Sequence, residues 1–147
     1  MSGKGQVYEG GCFCGAVRYR FRVRPLAVSH CHCAMCRRAT GAPFITWMTI
    51  TPETFSWTKG APAEYRSTSD VRRGFCPTCG TTLSYANDGH PEEIDISAAT
   101  LDDPGIVTPD DHLWVGSKLS WISLEDGLPR LKQGHWGVGY PKRDDQA

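Results

Sequence analysis

The sequence predicts a mainly β fold of short strands with one or two brief helices. Three observations carry that expectation. Apolar and polar residues alternate with a period of two, most clearly along Ala16 to Arg24. Sixteen glycines and ten prolines punctuate the chain into short elements. All seven cysteines fall into three groups spaced C-x-C, C-x-C-x-x-C and C-x-x-C, a pattern that suits metal knuckles between strands.

At 147 residues, 39% hydrophobic and 22% charged, the chain has the size and composition of one globular domain with a real core. The expected division is a flexible start over 1–8, one zinc-binding domain over 9–130, and a tail over 131–147 with a disordered end. Sixteen basic and sixteen acidic residues cancel, so bulk charge does not mark a generic nucleic-acid or membrane binder. No apolar run reaches spanning length, and Met1 to Gly11 lacks the apolar core of a signal peptide. The expected location is cytoplasmic. Thiols stay reduced there, so clustered cysteines favour metal over disulfides.

In chain order, Gly10-Gly11-Cys12-Phe13-Cys14-Gly15 is a turn carrying the first cysteine pair. Ala16 to Arg24 follows as a strand, with Val17, Tyr19, Phe21 and Val23 on one face and Arg18, Arg20, Arg22 and Arg24 on the other. Solvation and cross-strand ion pairs account for such a basic face, with anion binding as the alternative. Leu26 to Cys33 is a second extended segment. Its alternation points Cys31 and Cys33 one way and His30 and His32 the other. Cys36 rejoins the cysteine side if the chain then tightens into a helix, which Gly41 can cap and Pro43 must stop.

Phe44 to Ile50, Thr54 to Trp57 and Ala63 to Ser67 read as strands, the last two around a Lys59-Gly60 turn. Val71 to Phe75 and Thr81 to Ala86 form a hairpin whose tip is Cys76-Pro77-Thr78-Cys79-Gly80. Glu93 to Ala98 alternates acidic and apolar residues, Ala99 to Pro104 is a loop, and His112 to Val115 is a strand. A short element is expected at Trp121 to Leu124.

Counting thiols limits the chemistry. Two closed four-cysteine zinc sites need more cysteines than the seven present. The simplest partition closes one site from Cys12, Cys14, Cys76 and Cys79 and leaves Cys31, Cys33 and Cys36 as a three-thiolate site with an open position. Other partitions remain: Cys31 and Cys33 can join Cys76 and Cys79, or a histidine can complete a second closed site. An open thiolate–zinc site can hold an incoming thiol as thiolate at neutral pH, which favours attack on an electrophile such as an aldehyde. Three thiolates make zinc a weak Lewis acid, so amide hydrolysis is the poorer expectation. For the five histidines and five tryptophans the plain reading is structural.

Gly11-Cys12-Phe13-Cys14-Gly15, Cys31-His32-Cys33-Ala34-Met35-Cys36-Arg37-Arg38 and Phe75-Cys76-Pro77-Thr78-Cys79-Gly80 together resemble the glutathione-dependent formaldehyde-activating enzyme family, which includes centromere protein V. Ile94 to Ser97, Ala99 to Pro104 and His112 to Val115 extend the resemblance, which spans roughly Glu9 to Arg130. It implies stacked antiparallel sheets of the kind shared with Rab-associated zinc exchange factors and methionine-R-sulfoxide reductases. It implies two zinc ions per chain, a structural one on Cys12, Cys14, Cys76 and Cys79 and a catalytic-type one on Cys31, Cys33 and Cys36.

The implied activity is that of a carbon–sulfur lyase joining formaldehyde and glutathione into S-hydroxymethylglutathione, or acting on a related thiol adduct. Arg37 and Arg38 are candidates for binding an anionic substrate. A small thiol, with glutathione first, and an aldehyde are the expected partners; no nucleic acid or membrane is. The competing expectations are a zinc-stabilised module for a protein partner, a glutathione carrier without turnover, and a methionine sulfoxide reductase. The last needs a free nucleophilic cysteine, and every cysteine is already assigned to metal.

Overall fold

The structure is a computed structural model that describes residues 5–142. The flexibility expected at residues 1–4 and the disorder expected at 143–147 lie outside the described residues. Among the described residues the fold is mainly β, in two sheets with one α-helix and four 3-10 turns.

A small sheet joins β1 (Tyr8–Gly11), β2 (Arg18–Phe21) and β5 (Phe55–Lys59) in the order β1-β2-β5. Tyr8, placed in the flexible start by sequence reasoning, belongs to β1, where its ring stacks on Phe21 at 4.6 Å. The second strand is shorter than its alternation suggests and ends at Phe21, leaving Val23 exposed. Its polar face is solvated and ion-paired: Arg18 grips Asp102 with two nitrogens and Arg20 meets Glu9 at 3.1 Å.

The large sheet has seven strands. They are β3 (Ala27–Cys31), β4 (Ile45–Ile50), β6 (Ala63–Arg66), β7 (Val71–Phe75), β8 (Thr82–Asn87), β9 (Ile94–Ser97) and β10 (Asp111–Leu113), in the order β10-β3-β4-β9-β8-β7-β6. Every pairing is antiparallel except β10 with β3, which is parallel. The strand expected over His112 to Val115 is thus displaced to Asp111–Leu113. Residues 121–124 form no strand or helix.

The register gives the large sheet two faces of different character. One cross-strand row, Val28–Met48–Ile96–Ser84, turns toward the small sheet. Val28, Met48 and Ile96 pack there with Tyr8, Tyr19, Phe21, Ile50 and Leu101 to form the main core. Burying such side chains contributes roughly 1.5–3 kcal/mol each. The next row, Ala27–Thr49–Asp95–Tyr85–Arg73, faces the other way. That face is covered by the chain after β10 and by residues 134–140, which fold back over it. Sequence reasoning gave 131–142 to the tail. In the structure Leu131 N–H donates to His112 O at 2.8 Å and His135 is buried.

Candidate active site

Two thiol clusters stand at different places on this frame. The first joins distant parts of the chain. Cys12 and Cys14 lie on the turn after β1, Cys76 and Cys79 on the turn between β7 and β8, and their sulfurs all lie within 4.8 Å of one another. The Cys12–Cys14 and Cys14–Cys76 sulfur separations are 3.7 and 3.8 Å. A tetrahedron of zinc–sulfur bonds about 2.3 Å long has edges of roughly 3.8 Å, so these four residues fit a zinc ion. Backbone amides already point at the sulfurs: Val17 N–H at Cys12 Sγ (3.3 Å), and Thr78 and Cys79 N–H at Cys76 Sγ (3.4 Å). Gly15 and Gly80 make this wrapping possible with φ of 81° and 82°.

The second cluster is local. Cys31 ends β3, Cys33 is the N-cap of α1 (Ala34–Thr40), and Cys36 lies in the helix's first turn. Cys33 Sγ accepts the Cys36 N–H at 3.2 Å, so a cysteine does the capping usually done by Ser or Asp. Gly41, at φ 68°, closes the helix by donating its N–H to Arg37 O. The three sulfurs lie within 4.8 Å of one another, and no histidine, carboxylate or fourth cysteine joins them among the described residues. The Cys31 and Cys36 thiols donate toward Cys33 and, with the Cys36 amide, push its pKa far down, while the same contact pushes Cys31 up. The cluster therefore gathers negative charge on one sulfur, which suits a cation. The Arg73 guanidinium adds two contacts of 3.7 Å to Cys36 Sγ.

The histidines of this segment point away, as the alternation predicts. His30 Nδ1 meets Thr46 Oγ1 at 2.8 Å. His32 Nε2 meets His112 Nδ1 at 2.9 Å, and His112 Nε2 meets Asp126 Oδ2 at 2.8 Å. This chain, buried at His32 and His112 and ending on exposed Asp126, fixes the peptide between Cys31 and Cys33 from behind.

In front of the three thiols lies a cavity of about 390 Å³. Its floor is the row Thr49–Asp95–Tyr85–Arg73 of the large sheet; Cys31, Cys33 and Cys36 stand at one side. Its roof is Trp114 and the segment carrying His135, Trp136 and Tyr140. Trp114 adopts φ 57° and ψ 41°, a left-handed conformation rare for a bulky residue. His135 Nε2 is held by Asp111 Oδ2 at 2.8 Å.

Asp95 is half-buried, and desolvation pushes its pKa up to about 7. Thr49 Oγ1 donates to its Oδ1 at 2.7 Å, and nearby Glu93 adds to the upward push. Burial also raises Glu93, whose Oε1 accepts from Trp136 Nε1 at 3.2 Å.

Arg37 and Arg38, singled out from the sequence for substrate binding, do not line this cavity. Arg37 is tied to Ser117 O at 3.0 Å and Arg38 is exposed on the helix surface. Arg73, Glu93, Asp95 and His135, which do line it, went unrecognised in the sequence. The alternation of Glu93-Ile94-Asp95 was the available signal. An acidic face normally reads as solvent-facing, and only the covering segment makes this one interior.

The sequence profile of the glutathione-dependent formaldehyde-activating enzyme family matches residues 7–117, which include both thiol clusters. A Halomonas elongata protein, provisionally named a glutathione-dependent formaldehyde-activating enzyme, is 29% identical over 92% of this chain and 89% of its own. An uncharacterized lyase from Schizosaccharomyces pombe is 34% identical over 54% of this chain, a match that spans 57% of that protein. A crystal structure of a Rhodobacter sphaeroides protein superposes with a TM-score of 0.54 at 21% identity, covering 84% of this chain and 98% of that one. It shares the fold.

Proposed function

The chain belongs to the glutathione-dependent formaldehyde-activating enzyme family, and on that premise we propose that it is a carbon–sulfur lyase acting on a thiol–aldehyde adduct. The observation that carries this reading is the opening of a three-thiol cluster onto a partly covered cavity with a half-buried acid on its floor. Cys12, Cys14, Cys76 and Cys79 would hold one zinc ion as a structural tie. Cys31, Cys33 and Cys36 would hold a second, and zinc bound there supplies the means to keep a substrate sulfur ionised at neutral pH.

The chain's own residues do the rest. Arg73 places positive charge beside Cys36 and offsets the sulfur charge of the cluster. The aromatic roof keeps bulk water off a thiolate and a carbonyl brought together. When sulfur bonds to the carbonyl carbon, the oxygen takes up the electron pair of the opened C=O bond and needs a proton. Asp95, poised near neutral pH, gives that proton from its carboxyl group. In the reverse direction Asp95 takes the hydroxyl proton as the C–S bond breaks. Glutathione and formaldehyde are the first pair to assay, with S-hydroxymethylglutathione as product.

The test is the rate of hemithioacetal formation with the zinc-loaded protein, with Cys33→Ser and without protein. The wild type is expected to exceed the spontaneous rate and Cys33→Ser to fall back to it. A wild-type rate equal to the spontaneous one for every thiol and aldehyde offered would refute turnover and leave a carrier. Arg18 and Arg20 of the basic strand do not favour the protein-binding module, because both are paired within the chain.

A further inference from the structure

The charge inside the cavity argues about what enters it. Of the described residues lining it, Arg73 is the one strong cation. Its guanidinium is already committed: Nε donates to Ser67 Oγ at 3.3 Å, both terminal nitrogens reach Cys36 Sγ, and the group lies 5.1 Å over the Tyr85 ring. Two acids, Glu93 and Asp95, share the same space. Glu93 Oε2 is buried with no hydrogen-bond partner. An orphaned buried acceptor costs desolvation free energy, and a ligand N–H or ammonium placed there would recover it. The remaining walls are aromatic, with Trp47, Trp114, Trp136 and Tyr140, surfaces that attract apolar groups and cations alike.

Glutathione carries two carboxylates. Either carboxylate drawn into this cavity meets Glu93 and Asp95 and no free cation, which is unfavourable. We propose that the cavity selects a small thiol, or its aldehyde adduct, with an apolar body, no carboxylate, and an ammonium or N–H donor that pairs with Glu93. The proposal rests on the lyase reading for the location of the site and departs from it on the identity of the thiol. Glu93 is the specificity-determining residue, the aromatic roof the apolar surface, and the three-thiol cluster the place where every thiol is held alike.

Three cavity tryptophans make binding visible by fluorescence without any turnover. The zinc-loaded protein is titrated with cysteamine, benzyl mercaptan and glutathione, and each pair with formaldehyde is then assayed for turnover. Cysteamine and benzyl mercaptan are expected to bind about tenfold or more tightly than glutathione. Glu93→Gln is expected to weaken cysteamine about tenfold and leave benzyl mercaptan unchanged, since it removes the charge and keeps the size. Glutathione binding as tightly as the other two, or a loss in Glu93→Gln common to all three, overturns the proposal. The ranking in the wild type needs no variant. If the binding order holds and no thiol is turned over, the lyase reading falls and this one stands; if glutathione both binds best and reacts, the reverse is true.

Discussion

Asp95 is the residue whose environment departs most from what its sequence neighbours suggest. Burial, opposed by the Thr49 hydroxyl and aided by Glu93, raises its pKa to about 7. Cys36 and His135 also bear on it, and Arg73 lies two strands away on the same row. The folded chain thus holds this proton more tightly than the unfolded chain does. Asp95 therefore favours folding most below the ordinary carboxylate range, and that contribution is lost as pH rises toward about 7. The loss amounts to a few kcal/mol at most.

Asp95→Asn keeps an acceptor for Thr49 and removes the titration. Its denaturation midpoint is expected to decline less than the wild type's between pH 5 and 7, by urea titration of both proteins. Thiol protonation is common to the two and cancels in the comparison. The same variant is expected to lower turnover about 100-fold or more while leaving thiol binding intact. Equal turnover in both proteins would remove Asp95 from the proton transfer.

At the scale of elements, β2 was legible from its alternation, and most other strands from β-branched and aromatic residues bounded by turn signals. The helix was legible from its stop signals, Gly41 and Pro43, and from the need to bring Cys36 back. What was not legible lies where local pattern carries no information. The parallel pairing of β10 with β3 depends on a return from elsewhere in the chain, and the 131–142 segment has no periodicity to betray a packed role. Arg73 shows the same limit. It sits between Arg72, paired with Asp88 and Glu64, and Gly74, and tertiary context buries Arg73 while its neighbour stays half-buried.

Two substitutions test the elements directly. Phe21→Ala on β2 removes a fully buried ring stacked on Tyr8 and is expected to cost roughly 3–5 kcal/mol in chemical denaturation. Gly10→Ala on β1 puts a methyl against the Thr100 carbonyl and the Tyr19 ring and is expected to cost roughly 1–3 kcal/mol. A neutral Gly10→Ala would mean that the contact between β1 and the loop before Asp102 is looser than its geometry.

At the scale of the molecule, the two thiol clusters have unequal structural duties. Cys12 and Cys14 on one sheet meet Cys76 and Cys79 on the other, so their cluster ties the two layers across more than sixty residues of chain. The zinc proposed for this tie would contribute on the order of 10 kcal/mol, comparable to the whole stability of a domain. Cys76→Ser is expected to yield an unfolded chain by circular dichroism. Cys33→Ser is expected to stay folded and to bind one zinc fewer per chain by elemental analysis. A folded, fully cooperative Cys76→Ser protein would show that hydrophobic burial between the sheets suffices without the tie.

The counting of thiols anticipated this division, and the structure brings together the same two groups. The cavity's roof is a different matter. Its Gly134 to Trp136 and Tyr140 portion lies beyond residues 7–117, the part that matches the family. The sulfur clusters and Glu93 therefore share one stretch of chain, and part of the aromatic roof is written in another. Relatives could trade covers and keep the same sulfur chemistry, much as one tool handle accepts different heads. A chimera that exchanges only this stretch would reshape the apolar fit of the thiol and leave Glu93 and every cysteine untouched.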